Sequence, residues 1–429
     1  MLNKVLLKNN GVLKNTIIYT FTDGISKGLS FILLPIVSYY LTPAQLGIAV
    51  NFDVLQSIIM LLAGQAVVNA LPYFFYERSK ENITLLVSNL IWIILVCCII
   101  LSSLILIFNT TIKEFLHINI GLQILTIVST IAILICNINT TLYRLEEKVL
   151  CFSFSQIVQS IIQILLTIVL VIWLKMEAIG KIYSIVFTYS IMGSIHLYLL
   201  FKRGYIKFKL SIHDIKSLLN FGIPLLPHSL SFWIKSGFDK ILLTTFCGLS
   251  MNGLYSMAMS FGSIYTIFNN AFNNAYVPYL QKRLSHLDKV DILVEKREIV
   301  KLSYKIYLLF ICLYFLAIIL CWIVIHYILD NKYEQSFQFI PWILLSLTIN
   351  SFYSLVIQYP YKAKKTFGLG MITFTSSIIQ LLLSYIFIRL FNEDGIKYGI
   401  VLGSSITTIW VWWYSNKVFP MPWFNAYQR

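Results

Sequence analysis

Apolar stretches of about 20 residues or more recur from one end of the sequence to the other, with no polar domain between them. A helix of about 20 residues, rising 1.5 Å per residue, crosses a hydrocarbon core roughly 30 Å thick. Lipid offers the backbone no hydrogen-bonding partner, so such runs fold as helices that satisfy their own N–H and C=O groups. Apolar runs between polar punctuation fall at 15–41, 45–75, 84–108, 120–142, 151–174 and 179–201. After a basic stretch, six more fall at 220–247, 252–280, 303–328, 336–360, 366–390 and 396–416. Charged residues make up 12% of the chain, against about 25% in a soluble domain. The expected fold is an all-α membrane protein of about twelve transmembrane helices.

A net charge of +15 raises nucleic-acid binding, but the charges sit in short clusters between apolar runs and no polar domain exists to grip a duplex. Their distribution instead sets an orientation. With the N-terminus inside, twenty-four of the 33 Lys and Arg residues fall on the cytoplasmic side, from Lys4, Lys8 and Lys14 through Lys202, Arg203, Lys207, Lys209 and Lys216 to Lys417 and Arg429. Six fall in outer loops (Lys113, Lys175, Lys181, Lys332, Arg389 and Lys397), and Lys27, Lys235 and Lys240 lie within the runs. Both termini are therefore expected in the cytoplasm. The first run is too long for a cleavable signal peptide and continues into Asp23 and Lys27 without an A-x-A site. The seven cysteines lie in or at the ends of apolar runs, which is no disulfide framework.

An internal repeat is visible at an offset of 206, where Leu41–Gly47 lies over Cys247–Gly253 and Pro72-Tyr73 over Pro278-Tyr279. Both coincidences mark the start and end of the second helix of a six-helix half. An even number of helices makes the two halves run the same way, which places a substrate site between lobes near the midplane. The expected division is an N-lobe over 1–201, a cytoplasmic linker over 202–219 and a C-lobe over 220–429.

No G-x-x-x-x-G-K-[ST], H-E-x-x-H or C-x-x-C motif occurs. No catalytic residue, metal ligand or cofactor is expected. The informative residues are the ionisable ones inside the runs, each costing about 2.5–3.5 kcal/mol at the bilayer centre unless it faces a cavity or partner. Thr16, Thr20, Asp23, Lys27 and Ser30 share one face of the first helix, and His228, Ser231, Lys235 and Asp239 share one face of the seventh. One reading is a cationic cleft in which Lys27 and Lys235 meet an anionic headgroup while Asp23 and Asp239 hold them charged. The other is two intrahelical i,i+4 ion pairs, Asp23–Lys27 and Lys235–Asp239, that neutralise each other. Asp53 suits a cavity role or a partner within its own lobe. His196 and His228 read as hydrogen-bonded structural histidines. Arg144, Glu146, Glu147 and Lys148 read as a solvated loop, with a salt bridge gating the lobes as the second reading. Gln156, Gln159 and Gln163, and Asn269, Asn270, Asn273 and Asn274, read mainly as glue between helices. Pro35, Pro224, Pro227 and Pro341 are expected to kink their helices.

Several stretches carry a family resemblance. Tyr39–Gly47 is similar to a hairpin motif "YLxPxxxG", and Phe221–Pro227 to "fgxPxxp" at the opening of helix 7. Asp239-Lys240 stands where Asp-Arg is usual, Gly253–Ser256 matches "GxYs", Pro278 closes the eighth run, and Lys364-Lys365-Thr366 resembles "kkt". In these features the chain resembles a polysaccharide-type flippase of the multidrug/oligosaccharidyl-lipid/polysaccharide exporter superfamily, the group containing the Wzx O-antigen flippases. The resemblance implies two six-helix lobes, alternating access and a cationic central cavity. It implies an undecaprenyl-diphosphate-linked oligosaccharide as substrate, moved from the cytoplasmic to the outer leaflet of the bacterial inner membrane. The expected partners are that lipid-linked oligosaccharide, the bilayer and other polysaccharide-assembly proteins. Coupling to H⁺ or Na⁺ would need an intramembrane carboxylate: Asp239, Asp23 or Asp53. The rival readings are a drug/cation antiporter or lipid II flippase of the same superfamily, a major-facilitator transporter, and a membrane glycan polymerase.

Overall fold

The computed structural model describes residues 18–427 except 20, 23, 27, 30, 77, 78, 208, 286–291 and 364. The described residues form twelve long helices and no strand. The N-terminal half holds α1 (the described residues from 18 to 40), α2 (Pro43–Phe75), α3 (Lys80–Ile107), α4 (Ile120–Leu145), α5 (Val149–Trp173) and α6 (Glu177–Lys202). The C-terminal half holds α7 (212–247, in several pieces), α8 (Leu249–Ser285), α9 (Ile292–Tyr327), α10 (Asn331–Lys362), α11 (Thr366–Phe391) and α12 (Glu393–Val418). Eight of them are long and apolar enough to cross a membrane. This is a multi-pass membrane protein.

Two compact units divide the chain between Trp233 and Ile234. Within the N-terminal unit, α2, α4 and α6 pack closely. Gly193 of α6 lies so near Ala132 of α4 that an added Cβ would come within 2.8 Å of the alanine Cβ. The seam is polar as well as tight, with amides and hydroxyls bridging helices as lipid-embedded bundles allow. Asn51 donates to the Leu116 carbonyl at 2.7 Å, Asn137 to Gln65 at 2.9 Å, Thr167 to Ser184 at 3.0 Å, and Thr22 of α1 to Ser153 of α5 at 2.6 Å. The C-terminal unit uses the same device. Ser346 and Ser404 share a hydrogen bond at 2.6 Å, and Ser415 donates to the Val356 carbonyl at 2.9 Å. Ser354 donates to Asn273 at 3.2 Å, so one of the paired asparagines does bind helix to helix.

The turn into α2 shows why its motif has that composition. Thr42 is the N-cap, its hydroxyl accepts from the Gln45 N–H at 3.3 Å, the Gln45 side chain accepts from the Thr42 N–H at 2.8 Å, and Pro43 occupies the first helical turn. This capping box satisfies two orphan donors, and proline there forfeits no bond. At the offset of 206 the corresponding turn, between α7 and α8, is made by Gly248 with φ of +87°. Both repeats turn at the expected place, one by a capping box and the other by a left-handed glycine.

Among the described residues, three helices contain π turns: Leu61–Gln65 in α2, Ile168–Trp173 in α5 and Ile234–Phe238 in α7. At the first, Gly64 takes φ of +146° and rests against Ile94, a conformation that a side chain would strain. The prolines act as expected in α7, where Pro224 sits in the 3-10 turn Ile223–Leu225. They do not in two other places. Pro341 lies in the first turn of the α-helical part of α10, after a 3-10 stretch Asn331–Phe339, so it starts a helix where a kink was expected. Pro278 does not close α8, which runs on through it to Ser285. Beyond it Arg283 bonds Glu295 on α9, a pair that holds the two polar helix ends together.

Candidate substrate-binding residues

Lys235 lies in the π turn Ile234–Phe238 and is half-buried. Its ammonium donates to the Thr407 hydroxyl of α12 at 3.1 Å. Asp239, four residues on, is 3% exposed. It sits beside the hydroxyls of Tyr255 on α8 and Ser384 on α11, with Lys240 as its neighbouring charge. Its Oδ2 makes no hydrogen bond. The Lys235–Asp239 ion pair of the second reading is therefore not formed. The π turn changes the angular register between the two positions, and each side chain takes partners on other helices. Tertiary contacts outweigh an i,i+4 neighbour whose contribution on a helix surface is only about 0.2–0.5 kcal/mol.

Asp23 and Lys27, with Thr16, Thr20 and Ser30, lie outside the described residues. Asp53 of α2 is exposed within its unit, and Lys181 of α6 feels its charge. Tyr189 of α6 also feels Asp53 and is bonded to Gln159 of α5. Lys181 was expected in an outer loop, yet it is the fifth residue of α6. Lys397, also assigned to an outer loop, is buried in the first turns of α12, where it donates to Gln338 at 3.0 Å and pairs with Asp394. A lysine near the start of a helix can reach back to a carboxylate, so its position in the sequence alone does not make it a loop residue.

A second cluster closes the opposite end of the N-terminal unit. Arg203 donates to both Asn139 and Glu146, Tyr205 donates to the same Glu146 oxygen, and Lys148 pairs with the other oxygen at 2.7 Å. His196 is 1% exposed and bonds Asn139 and Ser155, each at 2.7 Å, as a structural histidine should. His228 differs: it is exposed, with its ring edge-on to Phe232. Burial pushes the Glu146 carboxyl up, but Lys148, Tyr205 and Arg203 together reverse that and hold it below the usual carboxylate range. In the segment expected as a solvated loop, Arg144, Glu147 and Lys148 are indeed exposed, while Glu146 is half-buried and ties the end of α4 to Arg203 and Tyr205 after α6.

One feature carrying an evident signal was missed. Gly395, Gly399 and Gly403 form a G-x-x-x-G-x-x-x-G stripe along α12, and α11 packs on it so closely that added Cβ atoms would overlap Phe387, Ser384 and Gln380. Small residues at that spacing bring membrane helices together. The stripe fixes the wall on which Ser384 is presented to Asp239.

Chemically, the C-terminal unit offers an ammonium and a buried carboxylate among hydroxyls, a set suited to anionic or hydroxylated ligands and to cations. Comparison with known proteins gives these residues a context. The family model described as polysaccharide biosynthesis protein matches residues 12–283, more than half of the chain. The chain belongs to this family. A Haemophilus influenzae protein of the Lsg locus is 21% identical over 422 residues, covering 95% of this chain and 98% of its own. Among solved structures, an inward-facing multidrug resistance MATE family transporter of the MOP superfamily aligns with a TM-score of 0.70 at 16% identity, covering 91% of this chain and 94% of that one. A MOP superfamily transporter from Pyrococcus furiosus, described as having a binding pocket of reverse polarity, aligns with a TM-score of 0.58 at 16% identity over 95% of each chain. This member of the polysaccharide biosynthesis family therefore has the MATE transporter fold.

Proposed function

We propose that this chain is a flippase, without enzymatic activity, that carries undecaprenyl-diphosphate-linked oligosaccharide repeat units from the cytoplasmic to the outer leaflet of the bacterial inner membrane. It works by alternating access and supplies surface polysaccharide assembly, of O-antigen, lipopolysaccharide or capsule type. The observation that carries the reading is the polysaccharide biosynthesis match over residues 12–283 on a transporter fold. In this reading the N-lobe is 1–201, the linker 202–219 and the C-lobe 220–429, with both termini cytoplasmic, as the four-to-one bias of Lys and Arg supports. Lys27 and Lys235 receive the diphosphate, Asp23 and Asp239 tune the site, and the polyprenyl tail stays in lipid. Lysines meeting an anion favour this substrate over the organic cations of a drug antiporter. Of the three carboxylates weighed for H⁺ or Na⁺ coupling, Asp239 has the strongest support because it is buried and its Oδ2 makes no hydrogen bond, whereas Asp53 is exposed within its unit.

The test is a reconstitution. Proteoliposomes are loaded with a fluorescent undecaprenyl-diphosphate disaccharide, and the fraction open to an impermeant glycosidase is followed with time. Protein-dependent exposure of the inner-leaflet pool supports the reading. Exposure at the rate of empty liposomes, with cation-driven efflux of an organic cation from the same vesicles, overturns it in favour of an antiporter.

A further inference from the structure

At the end of the C-terminal unit opposite its C-terminal segment, the last turn of α9, the 3-10 start of α10 and the start of α12 enclose a cavity of about 460 Å³. That is within the range of small-ligand pockets, roughly 300–1,000 Å³. Its walls carry Trp322, His326, Glu334, Gln335, Gln338 and Glu393. Among the described residues no lysine or arginine lines it, in a chain with a net charge of +15. The indole of Trp322 stacks on the His326 ring with 5.5 Å between centroids and 7° between planes, which holds a flat apolar plate at the rim. His326 Nδ1 in turn lies 3.5 Å from a Glu334 carboxylate oxygen. The floor is fixed from below: Gln338 accepts from Lys397 at 3.0 Å, and Lys397 lies over the Phe339 ring at 5.1 Å. Asp394 pairs with that lysine, so its charge is matched outside the pocket and Glu334 and Glu393 are left to face a ligand.

We propose that this pocket binds a saccharide unit, neutral or amino-substituted and not acidic. A pyranose has one flat C–H face and a rim of hydroxyls. The face suits an aromatic plate, and the rim suits carboxylates and amides that accept two hydrogen bonds at once. Two carboxylates, with no lysine or arginine beside them in the lining, repel a uronic acid and attract an ammonium. With cytoplasmic termini the pocket opens on the outer face, where a carried oligosaccharide would be released. That last step rests on the flippase reading, whereas the binding chemistry stands without it.

The test uses the full chain in phosphatidylglycerol nanodiscs, which contain no amine headgroup, with saturation-transfer difference NMR on glucosamine, N-acetylglucosamine and glucuronate. The proposal expects saturable transfer to the first two, with glucosamine bound about tenfold more tightly than glucuronate. Glu334→Gln/Glu393→Gln should bring those affinities within about threefold. Trp322→Ala should abolish transfer, and Trp322→Phe should restore part of it in a protein of unchanged thermal stability. Absence of transfer in the wild type, an unaltered ranking in the double variant, or competition only by phosphatidylethanolamine would overturn the proposal. Transfer without flipping in proteoliposomes removes the flippase reading and leaves the pocket standing, and flipping without transfer removes the pocket alone.

Discussion

Replacing Gly395 by alanine should destabilise the C-terminal unit without touching any ionisable residue. The added Cβ would fall well inside 3.0 Å of three backbone atoms, the carbonyl carbon and oxygen of Phe387 and the nitrogen of Ile388, where ordinary contact begins at 3.4 Å. Backbone cannot rotate away as a flexible side chain can, so α11 and α12 must separate. Separation also loosens the contact of Gly399 on Ser384 and Gly403 on Gln380, because all three glycines lie along one line of α12. Forcing a methyl group into a packed interior typically costs about 1–3 kcal/mol, and the rigid obstacle argues for the upper part of that range. For a unit spanning residues 234–429, at about 2–4 °C per kcal/mol, the apparent Tm in detergent should fall by roughly 2–12 °C. Gly370→Ala in the same helix pair is the control, since nothing lies within 4 Å of its Cβ. Equal shifts from the two substitutions, or none from Gly395→Ala, would refute the close-packed stripe.

Two further clusters give distinct expectations. Arg203→Ala strands a carboxylate that keeps only Lys148 and Tyr205, and should cost about 2–4 kcal/mol in thermal or denaturant unfolding of the N-terminal unit. Glu146 has a depressed folded pKa, so its contribution is present above the unfolded value near 4.5 and is lost as pH falls below that through the folded one. Glu146→Gln should therefore flatten the loss of stability below about pH 4.5, and an acid limb identical to wild type would contradict this. A double-mutant cycle on Asp53→Asn and Lys181→Met should give a coupling of about 0.5 kcal/mol or more in apparent stability, whereas strict additivity would deny that the two charges interact.

The twelve helices were legible because hydrocarbon thickness sets a minimum run length that the chain repeats. Their ends were not. The described part of α9 begins at Ile292, before the apolar run at 303, because Glu295, Lys296, Arg297 and Glu298 are good helix formers that hydropathy ignores. The glycine stripe of α12 was written plainly in the residues. The π turns left no such mark, since they depend on what packs outside the helix. The charge interaction of Asp53 with Lys181 joins residues from distant parts of the chain, and spacing cannot announce it. Lys235 and Asp239 were found as buried polar residues by their position in an apolar run, but their partners Thr407, Tyr255 and Ser384 needed coordinates.

In the proposed function, lysine ammonium groups receive a diphosphate. The direct measurement is the initial flipping rate in proteoliposomes for an undecaprenyl-diphosphate disaccharide and for the same disaccharide on uncharged undecaprenol, with wild type, Lys27→Gln and Lys235→Gln. The wild type should move the diphosphate lipid at least about tenfold faster, as loss of a charge-assisted contact implies. Each substitution should remove most of that preference while the folded protein persists. Equal rates for the two lipids, or a preference untouched by both substitutions, would contradict it.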